Sequence, residues 1–125
     1  MVMKRVFQIG IAVPDALAAA KSFCQLFEID DSAIQIIDAR ITGAHPMRYR
    51  GREIMAGNLL ALVQAANVEF EFIQHVDGDD NFHKEYLTQH GAGIDHICLD
   101  VADYEMTTKR MAEMGGSVLT EGGEG

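Results

Sequence analysis

The sequence predicts an α+β fold in which one β-α-β-β-β unit is followed by the beginning of a second. Short segments with alternating apolar residues indicate strands, and two segments with apolar residues at helical spacing indicate helices. In addition, the segment that begins at Gln8 is similar to the segment that begins at His96, 88 positions later. Self-similarity of this kind is typical of a duplicated supersecondary unit, so we expect two related modules.

The first module is predicted to occupy residues 1–76. Its first strand covers Val6–Val13, and Asp15 is the expected cap of the helix that follows. An apolar stripe on this helix marks the face that packs on the sheet. Further strands are expected at Ala33–Ala39, Met47–Ile54, Asn58–Gln64 and Val68–His75.

A polar connection at residues 77–92 leads to the second module at residues 93–125. The expected elements after the first module are a helix at Asn81–Gln89, a strand at Ile94–Val101, a helix at Tyr104–Met114 and the start of a strand at Ser117–Thr120. Only 33 residues follow from Gly93 onward, whereas the first module takes about seventy. We therefore expect the second module to be incomplete. Either the natural protein continues past the Gly-rich end, which is favoured because an unpaired half-module exposes a sheet edge, or a partner supplies the missing strands.

Composition narrows the class of protein. The net charge of −9 argues against a nucleic-acid binder, and no apolar run is long enough to span a bilayer. The start of the chain lacks the long apolar stretch of a signal peptide. With only two cysteines, a disulfide framework is not indicated, and we expect a cytoplasmic location.

Positive charge is concentrated in one segment. Four of the ten Lys and Arg residues lie between Arg40 and Arg52. Arg48, Arg50 and Arg52 alternate, so on a single strand they would share one face. This face is either a substrate anchor for an anionic group, with Arg48 and Arg50 as its candidate residues, or the charged side of an edge strand.

Three residues on predicted strands are candidate metal ligands. Gln8 and His96 occupy equivalent places in the repeat, and a pseudo-two-fold relation between the modules would bring them together. Glu71 lies near the end of the first module. Amide oxygen, carboxylate and imidazole form a mixed set that suits Zn, Mn, Co, Ni or Fe(II). Asp95 is predicted to point to the opposite face of the sheet from His96. The spacing of His75, His83 and His90, in or beside the polar connection, matches no standard metal motif. Taken singly, each candidate ligand is also compatible with an ordinary hydrogen-bonded or solvent-facing role.

Three segments resemble the vicinal oxygen chelate superfamily, which includes glyoxalase I, bleomycin resistance proteins, methylmalonyl-CoA epimerase and the extradiol dioxygenases. They are the segments 7–15, 69–74 and 90–97, with sequences FQIGIAVPD, EFEFIQ and HGAGIDHI. The similarity covers essentially the whole chain, and the later segments look most like the epimerase branch.

The resemblance implies paired βαβββ modules that form a cupped mixed sheet around one divalent ion. It places metal ligands at Gln8, Glu71 and His96, and Glu71 is the candidate catalytic residue among them. A fourth ligand, a glutamate that in the family often also serves as the proton-transfer base, is expected 88 positions after Glu71 and thus past Gly125. Epimerases of this type usually have His at the first position, whereas the combination of Gln8 and Glu71 is closer to some glyoxalases.

The function implied by the resemblance is that of a metal-dependent isomerase or lyase acting on a carbon next to a carbonyl or thioester. Methylmalonyl-CoA or a related acyl-CoA is the preferred substrate. One alternative is a glyoxalase I-type lactoylglutathione lyase, which acts on a glutathione adduct, and another is a non-catalytic binding or resistance protein. The resemblance also predicts a homodimer.

Overall fold

Strands and helices follow one another largely in the predicted order. The structure, a computed structural model, describes residues 2–41 and 46–121. Its elements are β1 (Met3–Ala12), α1 (Ala16–Leu26), β2 (Gln35–Ala39), β3 (Met47–Tyr49), β4 (Arg52–Ile54), β5 (Ala56–Ala65), β6 (Val68–Gly78), α2 (Phe82–His90), β7 (Gly93–Val101), α3 (Tyr104–Glu113) and β8 (Thr120–Glu121). The predicted α+β class is confirmed. None of the described helices has the length and apolar character needed to cross a membrane.

The main sheet has five strands in the order β2-β5-β6-β1-β7. The first four belong to the first module, in which β1 runs parallel to β6 and the other neighbours are antiparallel. The strand β7 opens the second module and pairs with β1 in antiparallel fashion. The first strands of the two modules are therefore direct neighbours.

The internal repeat is visible in the local geometry of the two modules. Asp15 and Asp103 cap α1 and α3 with nearly the same backbone angles, φ −143° and ψ 101° for the first, φ −141° and ψ 101° for the second. Ile9 and Ile97, which are equivalent in the repeat, face each other across β1 and β7. A local pseudo-two-fold axis therefore passes between these two strands.

The helix α1 covers one face of the main sheet. Ala16, Ala20 and Cys24 are fully buried against β5 and β6, where they pack with Val63 and Phe72. The two alanines are small, so the helix approaches the strands closely, and Cys24 behaves as a small apolar residue. Because side chains alternate along a strand, the residues next to Val63 in β5 and next to Phe72 in β6 point to the opposite face of the sheet.

The helix α3 has no buried residue, in contrast to α1. Within the described residues, the second module contributes only β7 to the main sheet, and β8 pairs with β3 instead. An incomplete second module is in keeping with this arrangement. The predicted Gly-rich end at residues 122–125 and the segment 42–45 lie outside the described residues, and the boundaries at residues 76 and 92 stay predictions.

The arginine-rich segment forms a hairpin, so the prediction of one strand over Met47–Ile54 is wrong. The strands β3 and β4 pair through Tyr49 and Arg52, and Arg50 and Gly51 form the turn with φ of 52° and 80°. Two successive residues with positive φ are typical of a tight two-residue hairpin turn. Arg48, Arg50 and Arg52 consequently do not share one strand face.

Candidate metal centre

Neighbouring strands bring the three candidate ligands to one face of the main sheet. The parallel register of β1 and β6 sets Gln8 beside Glu69 and Gly10 beside Glu71. The antiparallel register of β1 and β7 sets Gly10 opposite His96. Gln8, Glu71 and His96 therefore surround Gly10, on the face of the sheet that α1 does not cover.

The ligand atoms of these residues converge on the imidazole of His96. Its Nε2 atom lies 3.3 Å from Glu71 Oε1 and 3.3 Å from Gln8 Oε1. The side chains of His96 and Glu71 are 25 % and 13 % exposed, so a small ion or molecule can reach them. Side chains from three adjacent strands thus present one nitrogen and two oxygens to a common point.

Asp95 lies in the same cluster, and the prediction that it points away from His96 is wrong. The pairing of β1 with β7 shifts here, because Gly10 faces His96 whereas Ile11 faces Ile94. Asp95 is therefore the extra residue of a β-bulge, and at a bulge the alternation of side chains is broken. The buried carboxylate accepts a hydrogen bond from His96 Nδ1 at 2.6 Å.

Asp95 also binds His83 on the helix α2. The distance from His83 Nδ1 to Asp95 Oδ2 is 2.6 Å, so one carboxylate joins two imidazoles. Burial by itself would raise the pKa of Asp95, but the hydrogen bonds from His83 and His96 outweigh it and lower that pKa to about 2. In turn, the hydrogen bonds to Asp95 and then to Glu71 raise the pKa of His96 to about 9.

His83, Asp95 and His96 form a second possible ligand set, in which all ligand atoms lie within 4.8 Å of one another. In the set with Gln8 and Glu71, the ligand atom of His96 would be Nε2. We favour the set with Gln8 and Glu71, because Asp95 already binds both Nδ1 atoms at hydrogen-bond distance. A carboxylate that accepts from Nδ1–H leaves Nε2 as the ligand atom, which is the usual arrangement around metal-binding histidines.

Gly10 provides the space that the His96 ring occupies. A Cβ atom on Gly10 would overlap His96 Cε1, far inside contact distance. The imidazole therefore lies directly over the backbone of β1. A glycine within an apolar strand is a general indication of such close approach, so the sequence did contain a signal for this residue.

The described residues of the cluster fit a divalent cation. Glu69, Glu71 and Asp95 bring three carboxylates to the surroundings of one imidazole, which leaves an excess of negative charge. The nitrogen and oxygen donors match the preferences of Zn, Mn, Co, Ni and Fe(II). Three protein ligands also leave coordination positions for a substrate. These observations make Gln8, Glu71 and His96 the candidate ligands for one such ion.

The arginines proposed as substrate anchors make other contacts. Arg48 donates to the carbonyl oxygen of Gly51 at 2.7 Å, and Arg50 forms an ion pair with Glu85 at 3.1 Å. Tyr49 also hydrogen-bonds to Glu85, so the hairpin is tied to the helix α2. The two clefts lined by these arginines include none of the candidate ligands.

The fold is that of a known superfamily. The model of the Glyoxalase/Bleomycin resistance protein/Dioxygenase superfamily matches residues 7–125. The chain therefore belongs to this superfamily, as the resemblance of its motifs predicted. None of the curated proteins matches the sequence.

Several solved structures share the fold at low sequence identity. Methylmalonyl-CoA epimerase from Mycobacterium tuberculosis is 16 % identical, with a TM-score of 0.58 over 91 % of this chain and 66 % of that chain. A hypothetical protein from Bacillus halodurans is 15 % identical, with a TM-score of 0.61 over 89 % and 68 %. A Streptomyces coelicolor methylmalonyl-CoA epimerase variant in complex with 2-nitronate-propionyl-CoA is 16 % identical, with a TM-score of 0.59 over 94 % and 74 %. The chain thus spans about two thirds to three quarters of the length of these neighbours.

Proposed function

We propose that the protein binds one divalent metal ion through Gln8, Glu71 and His96 and acts as an isomerase or lyase on a carbon next to a carbonyl or thioester. The observation that carries this proposal is the position of His96 Nε2, 3.3 Å from an oxygen of each of the other two side chains. Membership of the superfamily and the structural likeness to methylmalonyl-CoA epimerases favour an acyl-CoA substrate.

The proposed chemistry divides between the ion and the side chains. When bound, a divalent ion of this kind polarises carbonyl oxygens and makes an adjacent C–H more acidic. His96 and Gln8 hold their donor atoms in place from two neighbouring strands. Glu71 is the candidate proton acceptor among the described residues, because its carboxylate is partly exposed beside His96. Removal of a proton by this carboxylate, followed by return of a proton to the opposite face of the same carbon, would interconvert two epimers.

Arg48 and Arg50 are proposed to contact a phosphate of the substrate that lies far from its reacting carbon. They line clefts that do not include the candidate ligands, which is compatible with a long substrate such as an acyl-CoA. The homodimer and the cytoplasmic location stay predictions from the sequence and the resemblance.

Metal content is the first test of the proposal. The protein, purified without chelators, is expected to bind about one equivalent of a divalent metal, measured by mass spectrometry of the metal. His96→Ala and Glu71→Ala should lose this metal, whereas His90→Ala, at the end of α2, should keep it. A protein that binds no metal, or variants that bind as well as the parent, would contradict the proposed site.

Proton exchange tests the reaction. In deuterated water the protein is expected to introduce deuterium at the carbon next to the thioester of methylmalonyl-CoA, followed by nuclear magnetic resonance. Glu71→Gln should abolish the exchange. If the thioester is inert but the adduct of methylglyoxal and glutathione is consumed, the lyase alternative replaces the epimerase. If neither reacts while small molecules still bind, the protein is a binding module.

A further inference from the structure

We propose that Glu69 is a positioning residue that turns the Gln8 amide so that its oxygen faces His96 and Glu71. The inference rests on the proposed metal site and adds to it a residue that would not itself touch the ion. The hydrogen bond from Gln8 Nε2 to Glu69 Oε1, at 2.7 Å, is the observation that carries it.

The amide of glutamine has two different ends, and only one of them is a ligand. The oxygen has lone pairs for a cation, whereas the NH₂ group carries two donors and repels it. A glutamine ligand is therefore useful only if its surroundings select the orientation. A glutamate ligand differs in this respect, because a carboxylate presents an oxygen whichever way it turns.

Three contacts of the Gln8 side chain are each consistent with the same orientation of its amide. Its nitrogen donates to Glu69, while its oxygen lies 3.1 Å from Cys98 Sγ and 3.3 Å from His96 Nε2. The Cys98 thiol donates to this oxygen. Gln8 is only 9 % exposed, which limits the ability of water to replace these partners.

Glu69 is the member of this group that makes the reverse orientation costly. A turned amide would place its oxygen against the Glu69 carboxylate and its NH₂ group toward the side where His96 and Glu71 would hold the ion. It would also lose a charge-assisted hydrogen bond, which is stronger than a neutral one. The parallel pairing of β1 and β6 holds Gln8 and Glu69 side by side, so the contact is built into the sheet.

A simpler role for Glu69 is to supply negative charge near the ion, and two substitutions separate the roles. Glu69→Gln removes the charge but keeps an oxygen that accepts from Gln8 Nε2. Glu69→Leu removes both the charge and the acceptor. Positioning predicts that only the leucine variant is impaired, whereas a charge effect predicts that both variants are impaired alike.

The measurement is the dissociation constant for Co²⁺ or Zn²⁺, from competition with a chelator. Glu69→Leu is expected to weaken binding about 10- to 100-fold, as is usual when a partner of a metal ligand is removed. Glu69→Gln is expected to stay within a few-fold of the parent. Glu53→Leu, which removes an exposed glutamate of β4 paired with Arg48, is the matched control and should have no effect.

A second background makes the test specific to the orientation of Gln8. In a Gln8→Glu protein either oxygen of the new carboxylate can face His96, so adding Glu69→Leu should not weaken metal binding. Equal losses in both backgrounds, equal losses in the two Glu69 variants, or no loss with Glu69→Leu would each overturn the inference.

A metal-independent readout separates this inference from the proposed function. In the metal-free parent, one amide proton of Gln8 should resonate downfield because it binds a carboxylate, and Glu69→Leu should move it upfield. If the parent binds no metal but shows this shift, the proposed function fails while the orientation of Gln8 by Glu69 stands. If the parent binds metal but the resonance does not respond to Glu69→Leu, the inference fails by itself. Preserved chemical-shift dispersion elsewhere in the spectrum shows that the variant is folded.

Discussion

The ring of His96 packs directly against the backbone of Gly10, so the position of the ring depends on the absence of a side chain at Gly10. The ring of His96 occupies the volume that a side chain at Gly10 would need. Gly10→Ala is therefore expected to push the imidazole off β1 and to weaken metal binding by roughly tenfold or more, since ligands must be held within about half an ångström of their working positions. The measurement is the metal dissociation constant.

Gly51→Ala is the control for this substitution. Gly51 lies in the hairpin turn with φ of 80°, and a Cβ atom added there would have no described atom within 4 Å. Alanine there strains the backbone and lowers stability, but it should leave the metal affinity unchanged. An unchanged affinity in Gly10→Ala would show that His96 does not need its present position to bind the ion.

The protonation of His96 predicts that metal binding releases a proton. Its pKa of about 9 in the metal-free protein means that at pH 8 about nine-tenths of the molecules carry the proton that a metal must displace. Affinity should therefore rise with pH up to about 9 and level off above it. Calorimetry in buffers of different protonation enthalpy counts the released protons.

Asp95→Asn tests the cause of this release. The hydrogen bond to Asp95 is the largest contribution to the raised pKa of His96, so the variant should release far fewer protons at pH 8. A parent protein that releases no proton, or a variant that releases as many as the parent, would argue against His96 as the residue that the metal deprotonates.

At the scale of the elements, the two equivalent helix caps should differ in their effect on stability. Asp15 and Asp103 each accept a hydrogen bond from a backbone N–H of the first turn at 3.0 Å. The helix α1 is part of the core, whereas α3 has no buried residue. Asp15→Ala should lower the free energy of unfolding by about 1 kcal/mol, while Asp103→Ala should mainly fray α3.

Denaturant unfolding and amide hydrogen exchange distinguish these two outcomes. A shift of the unfolding midpoint is expected for Asp15→Ala, and faster exchange confined to α3 is expected for Asp103→Ala. Equal shifts of the midpoint would mean that α3 is as tightly coupled to the core as α1.

The elements also show where local sequence rules were sufficient and where they were not. The helices α1 and α3 and the long strands β5, β6 and β7 lie within a few residues of the predicted ones, because their apolar spacing and caps are local signals. The alternation of arginines predicts one strand over 47–54, whereas the structure has a turn at Arg50 and Gly51. The turn needs positive φ at Arg50 and Gly51, and only the glycine indicates it.

At the scale of the whole molecule, the candidate ligands join the two modules. Gln8 and Glu71 belong to the first module, on β1 and β6, and His96 belongs to the second, on β7. A metal that binds only the folded protein stabilises it by about 2.7 kcal/mol when its free concentration is about 100 times the dissociation constant. Thermal unfolding should therefore shift upward with added metal, and His96→Ala should remove the shift. A shift that persists in this variant would place the bound metal elsewhere.

The sequence by itself determined the class of fold and the repeat, because both depend on spacing along the chain, and the resemblance of its motifs added Glu71 to Gln8 and His96 as a candidate ligand. Alternation assigned Gln8 and Glu71 to polar positions on their strands, and the offset of the repeat made Gln8 and His96 equivalent. These signals survive in the sequence because strands and helices impose fixed periods on their side chains.

Only the tertiary structure decided what surrounds those ligands. The bulge in β7 turned Asp95 toward His96, the helix α2 brought His83 to the same carboxylate, and parallel pairing placed Glu69 against the Gln8 amide. It also placed Arg48 and Arg50 in a hairpin whose clefts include none of the candidate ligands. A bulge and a strand register depend on which strands pair, and pairing is set by contacts between residues far apart in the chain, so no local pattern in the sequence records them.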